Sequence, residues 1–257
     1  MKERIGKEIA VCEVCGEPVE VMMPEKYWCL GMDRHPRMCL CRRTKHEAEE
    51  KERQRREYEA TLERNRSLCF SSKKMLSWNF ANDDGSVAAM SRAKNYVEHF
   101  EEMKENHMGL LLWGGVGTGK SFMAACIANA LLEKGYTVKM TNFATIINDL
   151  FCCEDKNEYI DSLMRFTLLI IDDLGAELGT EYATENVFNV IDRRCSSGKP
   201  LIVTSNLDLA AIKNEPMLDK TRIYDRVQEM CVPVCVKGES KRRSIAEEKM
   251  EQMKSYL

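Results

Sequence analysis

Long apolar runs are missing from these 257 residues. The longest, such as Leu168–Ile171, are strand-sized and too short to span a bilayer as a helix. A secretory leader is not expected either, since Met1-Lys-Glu-Arg carries charge and no apolar stretch follows it, and a cytoplasmic location is the expectation. No charge of one sign dominates. The net charge of −3 excludes a broadly basic nucleic-acid coat and leaves any contact with DNA or RNA to a local patch. Lys73, Lys74, Lys139 and Lys213 are scattered, and no platform of interleaved aromatic and basic residues stands out. There is no internal repeat.

Cysteine, by contrast, is abundant. Five of the twelve fall between Cys12 and Cys41. Without a leader a disulfide framework is not expected, and no βαβ pattern surrounds Cys12-x-x-Cys15 to make it a redox pair. The spacing instead predicts a structural Zn²⁺ site. Cys12-x-x-Cys15-Gly16 forms a knuckle and Cys39-x-Cys41 supplies the second pair, with Cys29 or His35 as possible replacements for one ligand. Four thiolates suit tetrahedral zinc, and the metal would fold a segment too short to build a core. The other seven cysteines read as small buried hydrophobes.

Three zones follow from composition. Residues 1–41 form the Cys-rich zinc-binding module. Residues 42–86 are a charged helix and linker. Between Arg42 and Arg66 nine basic and seven acidic side chains nearly cancel, which argues for a solvated tether rather than a DNA-binding helix. Glu47 with Lys51 and Glu52 with Arg56 stand one turn apart. Residues 87–257 alternate helix and strand. Helices are predicted over Val87–Glu105, Phe122–Leu132, Phe143–Phe151 and Glu181–Cys195, and strands over Leu110–Trp113, Thr137–Thr141, Leu168–Ile171 and Leu201–Thr204. The expected fold class is therefore α/β, with a parallel sheet covered by helices on both faces.

The chemistry concentrates at the ends of these strands. Gly114-Gly115-Val116-Gly117-Thr118-Gly119-Lys120-Ser121 fits G-x-x-x-x-G-K-[ST], follows an apolar strand and opens a helix. Its backbone N–H groups can cradle phosphates, Lys120 can reach the β/γ-phosphates of ATP, and the Ser121 hydroxyl suits Mg²⁺. A second strand ends in Asp172, placed for Mg²⁺, and Asp173, placed to orient the attacking water. A third ends in Thr204-Ser205-Asn206, where Asn206 is the candidate for the γ-phosphate or lytic water and Thr204 and Ser205 are alternatives. Arg222 and Arg226 lie four apart on one helix face, and Arg242 falls in Gly238-Glu-Ser-Lys-Arg-Arg243.

Taken together, the phosphate loop, Asp-Asp-Leu-Gly-Ala-Glu177, the Thr-Ser-Asn206 tip, Arg-Ile-Tyr-Asp-Arg226 and Gly-Glu-Ser-Lys-Arg242 resemble the DnaC/DnaI-type replicative helicase loaders. These are a branch of the AAA+ ATPases within the IstB-like superfamily. The resemblance spans nearly the whole chain and is firmest from about residue 105 to 243. It implies a P-loop AAA+ domain with a short C-terminal helical tail, and Asp172–Asp173 as the Walker B pair. Asn206 becomes sensor 1, Arg222 (with Arg226 as the alternative) the arginine finger toward a neighbouring protomer, and Arg242 sensor 2. It also implies self-association, slow hydrolysis given Asp173 where most AAA+ members carry Glu, and loading of a hexameric DnaB-type helicase onto single-stranded DNA. The cysteine module would hold the helicase. The alternative is an IstB-type transposition accessory ATPase binding double-stranded DNA, whose members typically lack a zinc module.

Overall fold

A computed structural model describes residues 9–24, 34–85, 87–175, 179–254 and 256, apart from the side chains of Lys213, Lys241, Arg243, Ser244 and Ile245. The chain divides into two compact units, Met1–Thr61 and Leu62–Leu257.

Among the described residues of the first unit, sheet is limited to two short strands. Strands β1 (Glu20–Met22) and β2 (Arg34–Pro36) pair antiparallel, with Val21 opposite His35. Helix α1 (Leu40–Cys69) begins here and continues into the second unit. Its exposed ion pairs include Arg56 with Glu52 at 2.9 Å, whereas Glu47 and Lys51 are not among the described pairs. Such exposed pairs are screened by solvent and individually weak, so they support the helix without fixing it to anything.

The second unit carries a five-stranded parallel sheet in the order β4-β5-β6-β3-β7. The chain enters through two 3-10 turns, Lys73–Ser77 and Phe80–Asn82, then α2 (Met90–Glu98) and α3 (Phe100–Glu105). The single helix expected over Val87–Glu105 is broken at His99 (φ −98°, ψ 24°), a turn that brings Phe100 into the core at 1% exposure. Central strand β3 (Gly109–Trp113) leads into α4 (Lys120–Glu133), followed by β4 (Val138–Asn142) and α5 (Phe143–Cys152). Next come α6 (Lys156–Met164), β5 (Leu168–Leu174), α7 (Glu181–Ser196) and β6 (Leu201–Ser205). Finally α8 (Leu209–Lys213), α9 (Leu218–Met230), edge strand β7 (Cys231–Cys235) and α10 (Lys241–Met253) complete the unit.

The central strands β3, β5 and β6 are apolar along most of their length because both of their faces are covered. Along β3 and β5, Leu110, Leu112, Leu168 and Ile170 face one core, while Leu111, Leu169 and Ile171 face the other. The first core also takes in Cys69 and Phe70, with Leu62, Met75, Trp78 and Phe80 packed against it. Residues 62–82, read from sequence as tether and linker, are therefore built into the α/β unit. Among the described residues no helix is long and apolar enough to cross a membrane.

Side-chain caps set several helix starts. Asn142 accepts from Thr145 N at 2.8 Å, Asp155 from Asn157 N at 2.8 Å, and Thr180 from Ala183 N at 3.2 Å. Helix α6 was not foreseen, although Asp155 with Glu158 three residues on is a legible start signal. Strand β7 was not foreseen either; Pro233 argues against a strand, but β7 pairs only with β3 and its Pro sits on the open edge.

Candidate functional site

Strands β3, β5 and β6 all end on one side of the sheet, where loops of a doubly wound α/β fold form a crevice. Gly114–Gly119 turns there from β3 into α4, with Gly119 as its N-cap. Gly117 sits at φ 85°, where a side chain would be strained, and an added Cβ would crowd Ser240 from the segment ahead of α10. Thr118 is buried and its hydroxyl donates to Gly115 O at 3.0 Å, fixing the loop from within.

Lys120 is only 5% exposed. Its ammonium donates to Gly114 O (2.9 Å), Gly115 O (2.7 Å) and Asn206 Oδ1 (2.7 Å). Burial lowers its pKa, partly offset by the charges of Asp173 and Asp172, while Arg242 lowers it further. Ser121 Oγ and Thr204 Oγ1 both donate to Asp172 Oδ1, at 3.0 and 2.5 Å. Asp172 is raised in pKa chiefly by desolvation, against those two hydrogen bonds.

The two aspartates sit on a bulge. Ile171 pairs with Val203 and Leu174 with Ser205, so Asp172 and Asp173 together oppose Thr204. Asp173 takes up the bulge at φ 60°, a left-handed conformation that Asp tolerates better than longer side chains. Its N–H is received by Thr204 Oγ1 at 2.9 Å, and its carboxylate accepts from Asn206 Nδ2 at 3.3 Å. Ser205 turns away and donates to Leu174 O. Of the three polar residues at this strand tip, Asn206 is thus the one that touches both Lys120 and Asp173.

These groups border a cleft of about 490 Å³, reaching from Lys120, Asp173 and Asn206 to Arg242. Its far wall was missed in the sequence: Lys74, Trp78 and Asn82 complete it. The chemistry of the donor set suits a triphosphate with a divalent cation, the amides and Lys120 facing anions and the Ser121–Asp172 pair offering hard oxygens.

Arg222 stands elsewhere. Its guanidinium lies 4.2 Å from the Phe188 ring centroid, beside a second cleft of about 440 Å³ lined by Thr180, Glu185 and Met217. Arg226 is held by Asp192 at 3.0 Å and Glu229 at 2.8 Å. Neither meets Lys120. Ala176 and Glu177 lie outside the described residues.

In the first unit, Cys12, Cys15, Cys39 and Cys41 gather with their sulfurs within 4.8 Å of one another. Cys39 and Cys41 approach to 3.2 Å, Cys12 and Cys41 to 3.5 Å. A tetrahedron with Zn–S near 2.3 Å spaces its sulfurs by about 3.8 Å, so the cluster fits the ion with little movement. Gly16 (φ 71°) turns the knuckle and returns its N–H to Cys12 O at 2.8 Å. Backbone hydrogen bonds at Cys15 and Val14 draw the Cys12 thiol down to about 6, while hydrogen bonds to Cys39 and Cys12 push Cys41 up to about 12. His35 bonds Pro36 O at 2.8 Å and stays out of the cluster. Cys29 lies outside the described residues.

Comparison with known proteins fits this geometry. The chain is 30% identical over 148 residues to the replicative helicase loader DnaC of Escherichia coli, covering 54% of this chain and 59% of that protein. It is 25% identical over 174 residues to the replicative helicase loader DnaI of Bacillus subtilis, covering 63% and 56%. The chain thus spans little more than half the length of these curated relatives. Among solved structures, DnaI superposes with a TM-score of 0.58 at 23% identity, covering 69% of this chain and 99% of that one, which establishes the shared AAA+ fold. Residues 44–249 match the family described as IstB-like ATP binding protein. With that match spanning most of the sequence, the chain belongs to the IstB-like ATP-binding family.

Proposed function

We propose that this protein is an ATP-dependent loader that places a hexameric DnaB-type replicative helicase on single-stranded DNA. The observation that carries the reading is the meeting of Lys120, Ser121, Asp173 and Asn206 in one cleft behind the glycine loop, with Asp172 bonded to Ser121 beneath it. Two relatives named as replicative helicase loaders support a replicative helicase as the partner. The test is reconstitution with the helicase of the same host. ATP-dependent transfer of the hexamer to single strands is expected, and a helicase that neither binds nor loads would overturn the reading.

In this reading Gly114–Ser121 holds ATP, with Lys120 on the β/γ-phosphates and Ser121 and Asp172 on Mg²⁺, which neutralises phosphate charge when bound. Asp173 orients water, assisted by Asn206. Asp173→Asn keeps the shape and the left-handed backbone but loses the base, so turnover should fall by about 10²-fold while ATP still binds. Unchanged turnover in a coupled phosphate assay would remove Asp173 from that role.

Arg242 shares the cleft and is assigned to the chain's own nucleotide. Arg222 is the arginine offered to a neighbouring protomer, supported by its place outside the cleft on the Phe188 ring. Arg226, tied to two carboxylates, is the weaker candidate. Arg222→Ala should keep monomer ATP affinity yet lose at least about tenfold in assembly-dependent turnover. Mixing it with a Lys120→Ala chain should restore part of the activity, and no rescue would count against action in trans.

Single strands suit a further surface feature. Phe151 is 79% exposed, its ring 6.5 Å from that of Tyr182, with Lys156 Nζ 4.9 Å from the Tyr182 centroid. Open aromatic faces beside a cation are what unpaired bases stack on, whereas duplex DNA offers none. The IstB-type reading draws on the family description; preferential binding of duplex over single strands would favour it. The domain organisation we propose is a zinc-stabilised helicase-binding module, a charged helix and an ATPase domain.

A further inference from the structure

The wall opposite the phosphate loop is the least expected part of the cleft, because it comes from residues ahead of the first predicted strand. Lys73–Ser77 and Phe80–Asn82 are single 3-10 turns joined through Trp78 and Asn79. Asn79 caps the second turn, accepting from Ala81 N and Asn82 N, and Asn82 Oδ1 accepts from Asn79 N in return. The segment is pinned to α4 by Asn129, 2% exposed, whose Nδ2 donates to Met75 O and Trp78 O at 2.8 Å each. Its Oδ1 is buried without a hydrogen-bond partner. A buried amide left half-satisfied costs stability, and the half that is satisfied holds this segment.

What it holds is an indole. The Trp78 ring meets Phe122 edge to face at 5.7 Å, and Phe122 follows Ser121 directly, so the indole rests on the first turn of the phosphate-binding helix. Trp78 is half-buried, with Lys74 Nζ 5.9 Å from its centroid. Lys74, Trp78 and Asn82 line the same cleft as Gly117 and Lys120. One end of that cleft is therefore cationic and rich in amides, and the other is aromatic with a carboxamide beside it. A nucleotide has the same polarity: anionic at one end, a flat heteroaromatic ring with hydrogen-bonding edges at the other.

We propose that Trp78 is the base-recognition residue of the nucleotide cleft, stacking on the purine, and that Asn129 is the positioning residue that sets it. This rests on the cleft being the ATP site, so the test separates the two. Calorimetry with magnesium compares ATP with inorganic tripolyphosphate, which has the phosphates and no base. Trp78→Leu fills the apolar seat without a π face. It should lose about tenfold in ATP affinity and leave tripolyphosphate unchanged, while Trp78→Phe should stay close to wild type. Asn129→Leu should show the same selective loss, which a general loosening of the fold would not produce.

ATP binding by Trp78→Leu at wild-type affinity, or equal losses for both ligands, overturns the proposal and leaves the phosphate site standing. Wild type binding neither ligand overturns both. Should Trp78→Leu fail to fold, a chain carrying W28F and W113F reports the contact directly. Its indole emission should respond to ATP and not to tripolyphosphate, and equal responses would overturn the assignment.

Discussion

Lys120→Ala is expected to weaken ATP binding by about 10³-fold. Hydrogen bonds from a charged donor contribute about 1.5–3 kcal/mol each, so two phosphate contacts give roughly 4 kcal/mol, at about 1.4 kcal/mol per decade. The variant should nonetheless fold. The ammonium now spends its donors on Gly114 O, Gly115 O and Asn206 Oδ1, oxygens at the open end of the loop, and its burial lowers its pKa. Removing a charge that burial already disfavours relieves desolvation while giving up the nearby attraction of Asp172 and Asp173, two effects that oppose each other. The thermal midpoint should therefore move little while affinity collapses. Calorimetry beside a melting curve checks both, and near-normal affinity in a folded variant would remove the glycine loop from nucleotide binding.

Much of this site was legible because its parts are local. The glycine loop is one continuous motif, and Asp172, Asp173 and Asn206 each end an apolar run bounded by polar residues, so strand ends could be marked without knowing the sheet. What was not legible depends on long-range pairing. The bulge that gives Asp173 its left-handed backbone exists only because β6 lies beside β5, and no local pattern encodes that neighbour. The preference for Arg222 over Arg226 likewise turns on Asp192, thirty-odd residues away and brought near by helix packing.

The wall around Trp78 escaped for a different reason. Isolated 3-10 turns are too short to leave a periodic signature, so a segment holding Met75, Trp78 and Phe80 read as linker. A signal was nevertheless present in Asn129. An amide inside Ala-Cys-Ile-Ala-Asn-Ala-Leu-Leu132, an otherwise apolar stretch, must find buried partners, and it finds them in that segment.

The first unit should depend on metal more completely than any other part depends on a single group. Among its described residues Cys39 is buried, whereas Val11, Val14, Val21 and Met22 are exposed, so no apolar core holds the knuckle to the hairpin. Its backbone order rests on a few hydrogen bonds, such as Val19 N to Ala10 O and Arg37 N to Val19 O. Structural zinc contributes about 10–16 kcal/mol to small modules of this kind, far beyond what a three-residue hairpin provides. Freshly purified, reduced protein should carry about one zinc per chain by elemental analysis. Cys39→Ser, or a strong chelator, should abolish amide protection across β1 and β2. The first turn of α1 should fray with them, because Leu40 N is capped by Glu17 from the knuckle side and Cys39 O receives Arg43 N. The melting of the α/β unit should not change, since it keeps its own two cores. Metal-free protein with β1 and β2 still protected would refute the zinc site; loss of both units together would show that the metal supports more than its own module.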